Sequence, residues 1–261
     1  MSLALAQPMV ADPVLPAEET ETHTRLLKCS LEVEQSRSYW RHIDPSAAPP
    51  RAQRAFDESW FGARSMARVE VLLTNFRLRY HAYPHGLAAL HAWPDMPPDV
   101  RVLVCHWHLQ LVDPLYRRFT GDMLSTRRAG PRPTLTFDQV LRWVEQECPA
   151  HWMPATQYQF ASRLLGCAYT VGLVGSSRDP RPLLWPNVPD LGLGYLVHLL
   201  RGVRFAGSLL DNPYARSLGL VGDELERRLR RVPGLQFYRM GELVEFHWDF
   251  PDLPTWVEAV R

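Results

Sequence analysis

The sequence contains almost no lysine, and its few cysteines are not paired in any metal-binding pattern. Lys28 is the only lysine among 29 basic residues, so nearly all the positive side chains are arginines. Arginine presents a planar fork that can bind a phosphate or a guanine edge with two hydrogen bonds, although a GC-rich genome produces the same excess. The four cysteines include no CxxC pair, which excludes a zinc knuckle or a disulfide framework. We therefore expect reduced thiols in a cytoplasmic protein.

Long apolar runs and a large net charge are also missing. The most apolar stretch, "VRVLVCHWHLQLVDPLY" (100–116), contains two histidines, an arginine, a glutamine and an aspartate, and it is too short and polar to span a bilayer. We predict no membrane partner. The formal net charge is +1, so no global field draws the protein to nucleic acid. Residues 1–24 hold four acidic and no basic residues, which leaves the remainder at about +5.

Motifs for catalysis are absent as well. The sequence has no HExxH pair, no GxSxG elbow, no phosphate-binding loop and no dinucleotide fingerprint. His106 and His108 lie two residues apart in a segment that fits a buried helix, where they point to different faces and cannot easily share a metal. We interpret them as core histidines. The prediction is a protein that is not an enzyme and has no metal and no cofactor.

The apolar periodicity predicts a mainly helical fold in three parts. Residues 1–22 lack periodicity and are predicted to be a disordered tail, residues 23–132 an N-terminal helical bundle, and residues 133–261 a winged-helix-like and C-terminal α/β-hairpin domain. One helix is expected over about 24–42 and another over 63–80. The second helix carries a stripe of Arg64, Arg68, Asn75 and Arg79, which fits either a solvated face or a phosphate track.

The order of elements after residue 132 is that of a winged helix-turn-helix with short β-hairpins. Thr136 and Gln139 have the spacing of a capping box at the start of one helix, and Thr156 and Gln159 repeat it at the next. Short strands at about 172–174 and 182–185 then enclose a loop that holds Arg178 and Arg181. The segment "LQFYRMGELVEFHWDF" (235–250) predicts a further β-hairpin, followed by a helix over about 254–260.

This order of elements, with several short motifs, resembles the BrxA family of BREX phage-defence systems. The similar segments are "LEVEQSR" (31–37), "RSMARVEVLLTNFRLRY" (64–80), "HWMPATQYQFASRLLGCAYTVGLV" (151–174), "LGYLVHLLRG" (193–202) and "GELVEFHW" (241–248). The resemblance covers about residues 25–258. It implies a mostly helical fold with a helical bundle and a winged helix, and the binding of duplex DNA together with other BREX defence proteins.

Binding, rather than catalysis, is therefore the predicted function. Phosphate neutralisation supplies most of the affinity for DNA, and contacts to base edges give sequence preference. The candidate phosphate contacts lie in an Arg-rich loop and in the wing: Arg127, Arg128, Arg132, Arg178 and Arg181. The candidate groove contacts lie on the second helix of the pair: Thr156, Gln157, Gln159 and Arg163. The alternative is an adaptor within the same defence complex, which docks on proteins and does not touch DNA. The acidic N-terminal segment and the single lysine depart from the family and should weaken non-specific binding.

Overall fold

A computed structural model describes residues 15–261 of the chain. The fold is mainly helical, with 54% helix and 8% strand, which confirms the predicted class. The helices are α1 (Val33–His42), α2 (Ala52–Asp57), α3 (Met66–Phe76), α4 (Pro84–His91), α5 (Pro98–Val112), α6 (Pro114–Arg118), α7 (Leu124–Arg128), α8 (Phe137–Glu147), α9 (Pro154–Val171), α10 (Asp190–Arg201), α11 (Pro213–Arg216), α12 (Gly222–Leu229) and α13 (Leu253–Val260). The strands are β1 (Thr134–Leu135), β2 (Arg181–Pro182), β3 (Leu235–Met240) and β4 (Leu243–Trp248), and they form two antiparallel pairs.

Helix α5 lies at the centre of the body and is buried over most of its length. It contacts α1 on one side and α9 and α10 on the others, so one hydrophobic core runs through residues on both sides of the boundary expected at 132 and 133. His106 bonds to the Tyr116 hydroxyl through Nδ1 (2.7 Å) and to Ser217 Oγ through Nε2 (2.9 Å). His108 Nε2 lies 2.7 Å from the Tyr195 hydroxyl. Both histidines are core residues, as the sequence predicts.

The C-terminal third also follows the sequence closely. The hairpin β3–β4 turns at Gly241–Glu242, where Gly241 takes a positive φ of 61°. Its inner face and α13 cover α10. The ring of His198 on α10 lies between Trp248 and Trp256, with ring centroids 4.8 and 5.1 Å away.

Part of the predicted tail is instead fastened to the body. Residues 15–22 lie against α5 and the loop after α10, while residues 1–14 fall outside the described residues. Glu18 is paired with Arg117 (3.4 Å) and accepts a hydrogen bond from the Ala206 N–H (2.9 Å). The Tyr83 hydroxyl donates to the Ala17 carbonyl at 3.1 Å. The ion pair with buried Arg117 and the hydrogen bonds to the body hold this segment in place although it contains few apolar residues. Composition alone did not indicate these contacts.

Two predicted helices differ in the structure. The segment predicted at 24–42 is a 3₁₀ turn (Arg25–Leu27), an extended piece and then α1. The α3 segment continues into a π-helical turn at Arg77–His81.

The basic stripe of that segment is not a phosphate track. Arg79 is buried and donates to the carbonyls of Ser30 (2.7 Å) and Leu31 (3.1 Å). Arg68 pairs with Glu32 at 2.8 Å, and the Asn75 amide bonds back to the Val71 carbonyl. Arg68 and Arg79 join the 28–32 segment to the helix, and Asn75 bonds within the helix. Because these side chains are engaged inside the protein, they do not form a row of phosphate contacts.

Three buried histidines predict a stability that falls in acid. Burial lowers the pKa of His106 and of His108 to about 3 and that of His198 to about 4. In the unfolded chain these histidines bind protons below the ordinary histidine pKa of about 6.5, whereas in the folded protein they stay neutral. Their contribution to the free energy of unfolding is therefore complete above about pH 6.5 and is lost as the pH falls toward the pKa of the folded state. Burial raises the pKa of Asp113 to about 7, and this group opposes the trend.

We expect the free energy of unfolding to be about 3 kcal/mol lower at pH 5 than at pH 7.5, because three histidines outweigh one carboxyl. Denaturant titrations at the two pH values measure the difference. Replacing His198 with Phe should lower the number of protons taken up on unfolding by about one, which makes the dependence of stability on pH shallower. Replacing the exposed His151 with Gln should leave this dependence unchanged. Equal stability at both pH values would contradict the role given to the buried histidines.

Candidate nucleic-acid interface

Two helices and a small sheet form the candidate site. β1 precedes α8, α9 follows after a short turn, and β2 returns to pair antiparallel with β1. Val174, just after α9, forms an antiparallel bridge with Leu183, next to β2. The three extended segments therefore lie in the spatial order β1, β2, Val174. The loop of residues 175–181 connects the last two, and we call it the 175–181 loop.

The start of α8 is as predicted, and the start of α9 is not. Thr136 and Gln139 form the capping box of α8. Helix α9 begins at Pro154, with Met153 as its N-cap, and the Thr156 N–H donates to the Met153 carbonyl at 2.8 Å. Proline is favoured in the first turn of a helix because it lacks an N–H that would go unpaired there. The helix therefore starts one turn earlier than the Thr156–Gln159 spacing suggested, and the second capping box is wrong.

The 175–181 loop contains two arginines, and only one of them has a carboxylate partner within residues 15–261. Arg181 Nε lies 2.7 Å from Asp179, and its side chain is only 13% exposed. Asp179 also accepts a hydrogen bond from the Phe137 N–H at the start of α8 (2.7 Å). Arg181 is therefore corrected from a phosphate contact to a residue that holds the loop against α8. Arg178 is exposed and has no carboxylate partner within residues 15–261.

The predicted Arg-rich loop is mostly helical, and its arginines differ in their contacts and exposure. The segment 114–128 continues through α6, a π-helical turn and α7. Arg127 Nε donates to the Thr134 carbonyl, which attaches α7 to β1. Arg132 lies just before β1 and is exposed.

Arg128 is a structural residue and not a phosphate contact. Its guanidinium donates to the carbonyls of Ser217 (2.9 Å) and Leu173 (3.2 Å). It lies 4.2 Å from the centre of the Trp185 ring, in cation–π geometry. Burial lowers its pKa to about 10, so it still carries its charge at neutral pH. The prediction for Arg128 is corrected because a buried side chain with these partners cannot reach a phosphate.

The predicted groove residues of α9 separate into inward and outward groups. The Gln157 amide donates to the Trp152 carbonyl (3.3 Å) and to Cys148 Sγ (3.4 Å), so it holds the turn between the helices. Thr156 is half-buried in the first turn, whereas Gln159 and Arg163 are exposed. Arg163 lines a groove of about 560 Å³ that also contains Glu32 and Glu34. Glu32 is paired with Arg68 (2.8 Å) and Glu34 with Arg101 (3.1 Å), so arginines already neutralise these carboxylates.

Sequence reasoning missed an aromatic residue on the same helix. Tyr158 is 57% exposed, and its ring centroid lies 4.7 Å from that of Phe137, the first residue of α8. Since Phe137 also donates to Asp179, the contacts of Tyr158, Phe137 and Asp179 connect the first half of α9 to the 175–181 loop. Tyr158 lies three residues before Ala161 and seven before Leu165, a spacing that places it on the side of the buried stripe. The periodicity of the sequence therefore did not indicate its exposure.

The chain was also compared with known proteins. No protein-family model matches it, and no curated protein is similar to it. Among solved structures, it is similar to an uncharacterized protein from Magnetospirillum magneticum, with a TM-score of 0.56 and 16% sequence identity over 70% of this chain and 98% of that chain. At this identity the likeness shows a shared fold and nothing about activity.

Residues 15–261 contain no group of three or more His, Cys, Asp or Glu side chains arranged to hold a metal ion. They also contain no helix with the length and apolar character needed to cross a membrane.

Replacing Arg128 with Met should destabilise the fold by about 3 kcal/mol. Methionine fills similar space but leaves two carbonyls without their charged donor, and such hydrogen bonds contribute about 1.5–3 kcal/mol each. Urea denaturation followed by fluorescence measures the change. Replacing the exposed Arg178 with Ala serves as the control and should change stability by no more than about 0.5 kcal/mol. Similar effects of the two substitutions would contradict the assignment.

Proposed function

We propose that the protein binds duplex DNA through the first half of α9 and the 175–181 loop. The observation that carries this proposal is the spatial order β1, β2, Val174 around the α8–α9 pair, with an exposed arginine in the connecting loop. In a winged helix, the strand before the helix pair joins the hairpin after it in this way, and the second helix enters the major groove. This order supports our proposal that the two helices and their short sheet are a winged helix.

Charge at the unit limits how it can bind. Four exposed arginines of the unit have no carboxylate partner in the described chain: Arg132, Arg142, Arg163 and Arg178. Gln159 is an exposed groove residue. Asp138 and Glu145 lie exposed on α8. A protein with so few phosphate contacts should bind weakly and with a shallow salt dependence. The resemblance to the BrxA family supports a role inside a BREX-type complex, where other defence proteins add contacts.

Replacing Arg178 with Ala should weaken binding to every duplex sequence and reduce the slope of log K against log salt by about 1. Each lost phosphate contact releases about one counterion fewer. Fluorescence anisotropy with labelled duplexes, at salt concentrations between about 50 and 200 mM, measures the slope.

Arg64 supplies the matched control, since it is an exposed arginine just before α3. Replacing Arg64 with Ala removes the same charge from the protein and should leave the slope unchanged. Absence of duplex binding at low salt would overturn the proposed function. Equal losses in both variants would show that net charge, and not the 175–181 loop, is responsible.

A protein-docking adaptor is the second candidate, and one surface favours it. Leu184, Trp185 and Val221 are 44%, 54% and 49% exposed. Trp185 is held rigidly between Arg128 and Gly219, where a Cβ atom would come within 2.5 Å of the indole ring. A fixed, exposed tryptophan among apolar neighbours is typical of protein contacts.

The adaptor predicts that the wild type binds no duplex at low salt. Replacing Trp185 with Ser should abolish co-purification with the other proteins of the defence complex. Replacing Leu15, a comparably exposed apolar residue elsewhere, with Ser is the control and should leave co-purification unchanged. Duplex binding by the wild type, or co-purification that survives the replacement of Trp185, would contradict the adaptor.

A further inference from the structure

The C-terminal hairpin exposes an unprotected strand edge. β3 lies against α12, whereas β4 is the outer strand and pairs with β3 alone among the described elements. β4 has six residues, Leu243–Trp248, with no proline, no lysine and no bulge. Proteins usually blunt such an edge with one of these devices or with charged side chains, because its free main-chain groups are a template for another strand. Glu245 is the one acidic residue of β4.

The pairing pattern shows which main-chain groups face outward. Met240 and Leu243 flank a two-residue turn, and the Asp249 N–H donates to the Gly234 carbonyl at 3.0 Å. Hydrogen-bonded and non-hydrogen-bonded pairs alternate along an antiparallel ladder. The outward main-chain groups of β4 therefore belong to Val244, Phe246 and Trp248, and within residues 15–261 they make no hydrogen bond outside the hairpin.

We propose that β4 pairs with β4 of a second copy of this chain, antiparallel about a two-fold axis at Phe246, to form a four-stranded sheet. In this register Glu245 lies opposite His247 of the other copy, and the same contact occurs twice by symmetry. These are non-hydrogen-bonded positions, where opposite side chains are closest. On the other face Val244 meets Trp248, and the two Phe246 rings meet each other. Cross-strand aromatic pairs stabilise a sheet, and Glu245 can accept a hydrogen bond from the His247 ring.

Charge selects this register over its neighbours. Because only even-numbered residues present outward main-chain groups, the strands can slip by two residues but not by one. Slipping in one direction places Glu245 opposite Glu245, and slipping in the other places it opposite Asp249. Both arrangements bring like charges together, which is destabilising. The register at Phe246 alone among the three is self-complementary, which identifies a second copy as the partner.

The interface is a single strand pair, smaller than a standard stable interface, so the dimer should be reversible and dissociate on dilution. Sedimentation velocity on the full chain over a wide concentration range tests it. We expect the wild type to shift from monomer to dimer. The substitution His247→Glu should abolish the dimer, because it places two acidic side chains opposite each other. The double substitution Glu245→Lys with His247→Glu should restore it.

Both substituted residues are exposed, so the variants should keep the thermal stability and circular dichroism of the wild type. As a second measurement, Phe246→Cys should form a disulfide between copies, since the residue lies on the two-fold axis, whereas Tyr238→Cys on β3 should not. A wild type that stays monomeric at every concentration overturns the inference. So does a dimer that His247→Glu leaves intact, because it must use another surface. The inference does not depend on DNA binding, and a monomer that binds DNA leaves the proposed function standing.

Discussion

The arrangement of the α8–α9 unit depends on one buried guanidinium. Arg128, at the end of α7, donates to carbonyls at Ser217 in the body and at Leu173 just after α9, and it carries the Trp185 ring that follows β2. Burying a charged guanidinium without a carboxylate partner destabilises the fold, because the group loses its hydration. Hydrogen bonds to neutral carbonyls offset this loss only when the carbonyls are fixed in place. Because three segments far apart in the chain meet at this side chain, it sets how α9 and the 175–181 loop are oriented on the helical body. An arginine that sequence reasoning assigned to DNA is thus the residue that positions the surface proposed to bind DNA.

Local signals in the sequence were reliable where one short segment decides the structure. The capping box at Thr136 and Gln139, the turn at Gly241 and the buried helix α5 each depend on residues within a few positions of one another. The capping box at Thr156 failed for an equally local reason, since Pro154 begins the helix first. Such competition between start signals can be seen in the sequence, but it is decided by backbone geometry.

The roles of the arginines could not be predicted in the same way. Arg128, Arg178 and Arg181 look alike in sequence, each lying near turns and polar residues. One is buried against carbonyls, one is exposed and one is paired with Asp179. Those outcomes are decided by partners that lie from two to about ninety residues away. The same holds for Glu18, whose pairing with Arg117 fastens a segment that composition describes as a tail. An ionic contact depends on the tertiary structure. Composition therefore gives the number of charged residues but does not show which residues they contact.

The small number of exposed arginines in the α8–α9 unit limits the affinity for DNA that the proposed function can give it. Four exposed arginines would release about four counterions, below the six to ten phosphate contacts of a tight binder. Under the proposed function, a single copy should hold DNA weakly, and firm binding should require a second set of contacts on the same duplex. A partner protein or a second copy would supply that set at high effective concentration, because linked weak sites bind far more tightly than either alone. The weak affinity of a single copy would then make the occupancy of DNA depend on assembly.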